Sequence, residues 1–451
     1  MWIPTLEEDG GPKYRALVNA IAKAIETGEL KVGERLPPQR QLAWKLGINP
    51  STTMQAYREA ARRHLIGGEV GRGTYVLEGS KEASLFLIKR QEATGRHIDL
   101  STNLPAIEKG NQDFADTLTA LLPSGGLNMA QGYLTPPLIK RAQIAAAKWL
   151  ALRNIYRLPD NIKLCAGAQQ GLFAALLALC RAGEPILVEE LTAPGIKAAA
   201  RQLHLPLHGI RLDRYGIVPE QLDRLIRTTG AKVMVITPTL QNPTGSVMND
   251  ARRREIAAIV VKYRLTLIED DVYGALSQQT PLAAELPDHS LLITSLSKTV
   301  EPSLRLGYLA GSTDLMQRID PEGQLTQWAV SPLSVVIANQ WIENGTALNR
   351  VNWQKEEVSQ RWRLARKTVG NYMTYNDTPS PHIWLSAPSI PSELVELCRD
   401  VGVITAPADT FSVGKQHINA IRLSLTAAPS RAELKAVLEA IAGQLAINHR
   451  Q

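Results

Sequence analysis

Cysteine is scarce in this chain of 451 residues: Cys165, Cys180 and Cys398 are the only three. An odd count without C-x-x-C spacing argues against a disulfide framework and against a zinc site, and fits a reducing, cytoplasmic setting. Long apolar runs are missing as well. None reaches the roughly 18 residues a membrane helix needs, so no membrane partner is expected. The opening MWIPTLEEDGG is acidic and holds no signal-peptide apolar core. The remainder, 44% hydrophobic and 21% charged, is ordinary for a soluble globular protein. The length exceeds what one hydrophobic core usually organises, so two or more domains are expected.

Charge is unevenly placed. Residues 11–76 carry a net +6 and the first ten carry −3, against +7 for the whole chain. A small basic head on a nearly neutral body points to a polyanion partner for the head. Within the head, Leu17, Ala20, Ile21, Ala24 and Ile25 recur at helical spacing, and Gly28 closes that helix. Pro37-Pro38 sets the start of a second short helix, ended by Gly47. Asn49 caps a third, with Pro50 in its first turn. Two short helices joined by a tight glycine-containing turn make a helix-turn-helix. Leu65–Val76 then reads as a hairpin with Arg72 at its glycine-flanked tip. Residues 78–97 are polar and charged around the short apolar patch Leu85–Ile88 and read as a linker.

From about Ile98, short apolar runs alternate with helical stretches. Ile186–Val188, Val233–Ile236, Leu265–Ile268, Leu291–Ile293 and Leu306–Leu309 are the strand candidates. This alternation predicts an α/β domain on a mainly parallel sheet, whose ligands gather at the carboxyl ends of the strands. Chemistry-bearing residues fall at those ends. Lys298, in Ser295-Leu296-Ser297-Lys298-Thr299, follows an apolar run, with Arg305 seven residues on. A desolvated lysine amine forms Schiff bases with carbonyl cofactors, and hydroxyls with a guanidinium suit a phosphate dianion. Together they suggest pyridoxal phosphate; the plain alternative is a surface lysine after a strand. Gly167-Ala168-Gln169-Gln170-Gly171 opens a helix whose free N–H groups suit phosphate, although many helices start with small residues. Asn242-Pro243-Thr244-Gly245 is turn punctuation or an amide donor to a phenolate. Asp270 in Asp270-Asp271-Val272-Tyr273 is a solvated strand end or a partner for a protonated pyridine nitrogen.

The head resembles the winged helix-turn-helix of the GntR regulators in GERLPPQRQLA, LGINPSTTMQAYREA and GRGTYV. That resemblance implies binding to double-stranded operator DNA. Ser51, Thr52, Thr53 and Gln55 would read bases in the major groove, Arg35 and Arg40 would contact the DNA, and Arg72 would approach the minor groove. Family members often carry arginines early in the third helix, where this chain has Pro50 and Met54.

In sequence order, GAQQG, NPTG, DDVY, SLSK, RLG and Ile421-Arg422-Leu423-Ser424 resemble the fold-type I, aspartate-aminotransferase-like enzymes. That resemblance implies a Schiff base on Lys298, Asp270 on the pyridine nitrogen, and Tyr273 and Asn242 on the phenolic oxygen. Ser295, Ser297, Arg305 and the backbone at Ala168 and Gln169 would hold the phosphate. Arg422 would take the α-carboxylate of an amino acid. Tyr133 would reach the cofactor phosphate of a second subunit, making the site a property of a homodimer. One departure is Ala193, where the family usually offers a ring-stacking aromatic; it places fast transamination in doubt more than cofactor binding. A capping box at Ser430-Arg431-Ala432-Glu433 opens the last helix of the family's smaller α+β domain.

The expected organisation is a winged head over 1–77, a linker over 78–97 and a cofactor-binding, effector-sensing and dimerising domain over 98–451. The combination resembles the MocR subfamily of bacterial regulators. It implies a transcription factor that senses a small amino compound through pyridoxal phosphate. Two other readings stay open: a genuine aminotransferase with a vestigial or autoregulatory head, and a DNA-binding dimer whose body has lost the cofactor.

Overall fold

The computed structural model describes residues 2–6, 12–26, 29–31, 34–62, 65–69, 73–76, 97–123, 128, 130–323, 325–375, 377–387, 390, 394–414 and 418–448. Arg72 and the linker stretch before His97 lie outside the described residues. The chain divides into two compact units, Met1–Gly95 and Arg96–Gln451.

In the small unit, α1 (Lys13–Glu26), α2 (Gln39–Leu46) and α3 (Pro50–Arg62) precede an antiparallel hairpin, β1 (Ile66–Glu69) and β2 (Gly73–Val76). Gly47 ends α2 in the left-handed region at φ 62°, where its N–H reaches the carbonyls of Ala43 and Trp44. The Asn49 side chain accepts the Ser51 N–H at 2.9 Å and caps α3. Leu17, Ile21, Leu42, Ala56, Tyr57, Ala60, Ile66 and Val76 form the core. Each large aliphatic among them contributes about 1.5–3 kcal/mol by leaving water. The Tyr57 hydroxyl donates to the Pro37 carbonyl at 2.6 Å and ties α3 to the start of α2.

The large unit is built on a seven-stranded sheet. Its elements are α4 (Pro136–Ala151), β3 (Ile162–Cys165), α5 (Ala168–Leu179), β4 (Ile186–Glu189), α6 (Pro194–Gln202) and β5 (Leu207–Ile210). They continue with β6 (Val233–Ile236), β7 (Thr266–Asp270), β8 (Ser290–Ser295), β9 (Gly307–Gly311) and α7 (Pro332–Glu343). The strand order is β3-β9-β8-β7-β6-β4-β5. Only β9 runs against its neighbours, pairing antiparallel with β8 and β3. Alternation along β8 explains the layers: Leu292 packs under α4 and α7, while Leu291 and Ile293 pack under α5 and α6. The strands are buried on both faces, as a parallel sheet sandwiched by helices requires.

The C-terminal part adds α8 (Thr346–Val369) and a three-stranded sheet of β10 (His382–Leu385), β11 (Ala406–Pro407) and β12 (Ile421–Ser424), in the order β10-β12-β11. The final helix is α9 (Arg431–Asn448). Ser430 Oγ accepts the Glu433 N–H at 3.2 Å and donates to its carboxylate at 2.7 Å, so the box predicted from sequence closes at this end. No helix among the described residues is long and apolar enough to cross a membrane. Among the same residues no group of three or more His, Cys, Asp or Glu is placed to hold a metal ion.

Candidate functional site

The carboxyl ends of β4, β6, β7 and β8 and the amino end of the reversed β9 meet along one edge of the sheet. From β8, Ser295 leads into a short 3-10 turn, Leu296–Lys298. Lys298 Nζ donates to the Asn103 carbonyl at 2.8 Å. From β7 comes Asp270, whose carboxylate accepts the Val272 N–H at 3.3 Å. Burial pushes the Asp270 carboxyl up to about 6, against a partial opposing pull from the Val272 N–H and the Lys298 charge. Tyr273, three residues on, is buried, and burial raises its hydroxyl to about 12. The Asn103 amide donates to that hydroxyl oxygen at 2.7 Å.

Arg422, on β12, enters from the C-terminal sheet. It donates to Asn242 Oδ1 at 2.9 Å and to the Ser101 carbonyl, and its guanidinium carbon lies 4.9 Å from the Phe411 ring centroid. Burial lowers it to about 10, which leaves it cationic at neutral pH. Its Nε is buried without a hydrogen-bond partner. A buried guanidinium N–H lacking an acceptor is an unpaid electrostatic cost that an anionic ligand would relieve.

The other end of the cleft is built on close backbone approach. Gly167, at φ 85°, opens α5. A Cβ there would stand 3.4 Å from the Arg305 guanidinium. A Cβ on Gly307 would meet the Gly167 carbonyl carbon at 2.8 Å and the Ala168 nitrogen at 2.9 Å. Gly307 pairs in register with Ser295, so the α5 amino terminus, Arg305 and the Ser295 turn are drawn together. Ser295 Oγ accepts the Ser297 N–H at 3.1 Å and donates to the Leu306 carbonyl at 3.2 Å. Ser297 Oγ is buried and unpartnered. An orphan hydroxyl, an exposed guanidinium and the first N–H groups of α5 suit a phosphate dianion. The residues present therefore fit pyridoxal phosphate: anion-seeking donors at one end, a lysine and a buried carboxyl between, an unsatisfied arginine beyond.

Of the residues singled out in the sequence, Lys298, Asp270, Tyr273, Asn242 and Arg422 come together in this cleft. Ser295, Ser297, Arg305, Ala168 and Gln169 line its anion end. The Gln169 side chain is spent on α6, donating to the Gly195 carbonyl at 2.8 Å, which leaves its backbone N–H for the cleft. Tyr133 is outside this group: it stands 81% exposed, with its ring centroid 6.2 Å from that of Trp328. Ala193, at the position where the resemblance implies a ring-stacking aromatic, precedes α6 as its N-cap residue. Asn103 and His382 were missed. Neither lies in a motif, yet the Asn103 amide nitrogen sits 3.1 Å from His382 Nδ1, and His382 Nε2 sits 2.8 Å from the Gln241 carbonyl.

In the head, Arg35, Arg40, Ser51 and Gln55 are exposed and Thr52 is half-exposed. A shallow groove lined by Arg35, Pro37, Gln39, Arg40 and Thr74 runs beside the start of α2. Thr53 corrects the sequence reading: it is fully buried against the helix core, so it cannot reach a base edge.

Residues 13–76 match the GntR family of bacterial regulatory proteins, and residues 96–441 match the class I and II aminotransferases. The chain is 28% identical to "Uncharacterized HTH-type transcriptional regulator YdeF" of Bacillus subtilis, over 96% of this chain and 94% of that protein. It is 27% identical to "Vitamin B6 salvage pathway transcriptional repressor PtsJ" of Salmonella typhimurium, over 67% of this chain and 68% of that protein. The fold matches Pyrococcus horikoshii kynurenine aminotransferase with a TM-score of 0.72 at 22% identity, covering 80% of this chain and 93% of that one. The chain thus belongs to the class I and II aminotransferase family and carries a GntR helix-turn-helix head, the two-part build of the MocR group of transcriptional regulators.

Proposed function

We propose that this regulator holds pyridoxal phosphate on Lys298 and uses it to sense a small amino compound, with operator DNA bound by the head. The observation that carries the reading is the joint placement of Lys298, Asp270 and Tyr273 in one cleft with two buried donors lacking acceptors, Ser297 Oγ and Arg422 Nε. When bound, the cofactor supplies an electron-withdrawing ring and a carbonyl carbon open to primary amines. Lys298 would hold it covalently, and Asp270 would pair with its protonated ring nitrogen. Asn242 and Tyr273 would donate to the ring oxygen. Ser295, Ser297, Arg305 and the α5 amino terminus would hold the phosphate. Arg422 would take an effector carboxylate through paired N–H groups. An amine that displaces Lys298 changes operator affinity only by its differential affinity for the two states of the protein. A homodimer, with Tyr133 turned toward the partner's cleft, would present two heads to paired half-sites.

The test is the visible spectrum of the purified protein with added pyridoxal phosphate, beside Lys298→Ala. A visible band that vanishes in the variant supports the reading, and band shifts with amino compounds then identify effectors. No band in either protein removes cofactor sensing and leaves a DNA-binding dimer.

The raised Asp270 carboxyl gives a pH signature. Below about 6 this group is neutral in the cofactor-free protein and must lose its proton to pair with a cationic ring nitrogen. Cofactor affinity should therefore fall as pH drops through about 6, by up to tenfold per unit. Asp270→Asn should bind weakly at every pH. Equilibrium titrations between pH 5 and 8 decide this, and identical slopes in both proteins would count against the assignment.

A second reading, a genuine aminotransferase, is favoured by the retained Lys298, Asp270, Tyr273 and Arg422. Sustained turnover of an amino acid with a 2-oxo acid, without operator binding, would select it.

A further inference from the structure

The donors and acceptors beneath the cleft are fixed at every link. A backbone carbonyl can only accept, so the Gln241 carbonyl, 2.8 Å from His382 Nε2, places the ring proton on Nε2. His382 is fully buried, and burial with the nearby Arg422 charge lowers it to about 3, so it stays neutral. Its Nδ1 is then an acceptor, and the Asn103 amide must turn its NH2 toward it, at 3.1 Å. The same NH2 lies 2.7 Å from the Tyr273 hydroxyl. One amide hydrogen goes to each partner. The Tyr273 oxygen accepts from Asn103, so its own proton points elsewhere.

The start of the chain is equally constrained. Gln241 donates through Nε2 to the Leu191 carbonyl at 2.7 Å and to the buried Glu189 carboxyl at 3.1 Å. Its Oε1 accepts from the Thr244 N–H and hydroxyl at 2.9 and 2.7 Å. The loop that presents the carbonyl is therefore tied on several sides. Asn242 is polarised by the same logic. A guanidinium can only donate, so Arg422 occupies Asn242 Oδ1 and leaves the amide NH2 as the end that can serve a ligand.

We propose that Gln241, His382 and Asn103 form an orienting relay, each link with a fixed donor and acceptor, that sets Tyr273 as a hydrogen-bond donor to the cleft, making Asn103 and His382 positioning residues for the ring oxygen of the bound cofactor. This rests on the cofactor reading above. The titratable groups around the relay are Glu189 beside Gln241, which burial raises to about 8, Arg422 and Lys298 beside His382, and Arg422 and Asp270 beside Tyr273. Arg422 and Lys298, both cationic, have no acceptor to offer His382 in place of the Gln241 carbonyl. An oriented donor stabilises negative charge on the ring oxygen most when the neighbouring Schiff-base nitrogen has lost its proton. The donor thus lowers the pH at which that nitrogen titrates, and losing its orientation raises that pH.

The experiment is a pH titration of the visible band in the cofactor-loaded full-length protein, with His382→Phe, Asn103→Ala, Tyr273→Phe and the double variant Tyr273→Phe/His382→Phe. Phenylalanine at 382 keeps an aromatic ring against Tyr273, 5.3 Å between centroids in the native pair, but accepts no hydrogen bond. Each single variant should raise the titration midpoint by about one pH unit, a tenfold change in proton affinity. The double variant should match Tyr273→Phe alone, because the relay acts on the ring oxygen through the Tyr273 hydroxyl. Unmoved midpoints in His382→Phe and Asn103→Ala, with the band intact, would overturn the relay, as would a double variant whose shift is the sum of the singles. A wild-type protein without any visible band would instead overturn the cofactor reading on which the relay rests.

Discussion

Replacing Asp271 with alanine is expected to destabilise the large unit by about 3–5 kcal/mol, whereas Asp270→Asn, one residue earlier, should leave the cofactor-free protein as stable or more so. Asp271 is buried and receives two bonds from Arg153, at 3.2 Å from Nε and 3.1 Å from Nη2. Arg153 is itself only 8% exposed and reaches the carbonyls of Ser277 and Gln279. Removing the carboxylate strands a buried cation whose remaining partners are neutral. Burial raises both carboxyls, but at Asp271 the bonded Arg153 opposes that rise, whereas at Asp270 the opposing pull is the Val272 N–H and the Lys298 charge. The Asp270 carboxyl is raised above the unfolded value, so the folded chain binds that proton more tightly. Its contribution is therefore lost as pH rises toward about 6, and at pH 7 the ionised group is a cost in the absence of a cationic ligand. A neutral amide removes that cost. Urea midpoints of both variants at pH 7 without cofactor measure the contrast, and equal losses would contradict it.

The second large effect concerns Arg422. Arg422→Ala should weaken binding of a carboxylate-bearing amino effector by about 2–5 kcal/mol, roughly thirtyfold to several thousandfold. The arginine is 4% exposed and already holds Asn242 and the Ser101 carbonyl, so its position costs little further ordering when an anion arrives. The measurement pairs an amino acid with its decarboxylated amine, titrated against the cofactor band. Wild type should prefer the acid and the variant should lose the preference. Retained preference in the variant would move carboxylate recognition to another residue.

The cleft was legible in sequence where chemistry follows a strand end within a few residues. Lys298, Asp270 and Tyr273 are of that kind, because a parallel sheet delivers every strand's carboxyl end to one edge. Asn103 and His382 were not legible for the complementary reason. Asn103 meets Tyr273 across 170 residues, Lys298 across 195 and His382 across 279. No local spacing encodes contacts at such separations. Thr53 failed differently, through helical phase. Thr53, Ala56, Tyr57 and Ala60 follow i, i+3, i+4, i+7 and form the buried stripe of α3, which the sequence does reveal once the period is counted. The reversed strand β9 was anticipated as a strand, but its direction was not, because an apolar run looks the same either way.

That reversal carries a practical consequence for anyone moving this cleft to another scaffold. Ser295 and Gly307 pair across β8 and β9, and between them lie Ser297, Lys298 and Arg305, the last at φ 47° where the chain turns back. An added residue in this interval cannot be absorbed by sliding one strand past the other, since a slip of one reverses every side chain of the strand that moves. The segment from Ser295 to Gly307 is therefore an indivisible graft. It must travel at its native length with Gly307, where a Cβ would strike the Gly167–Ala168 peptide, and it needs a recipient helix preceded by glycine, since position 167 sits at φ 85°.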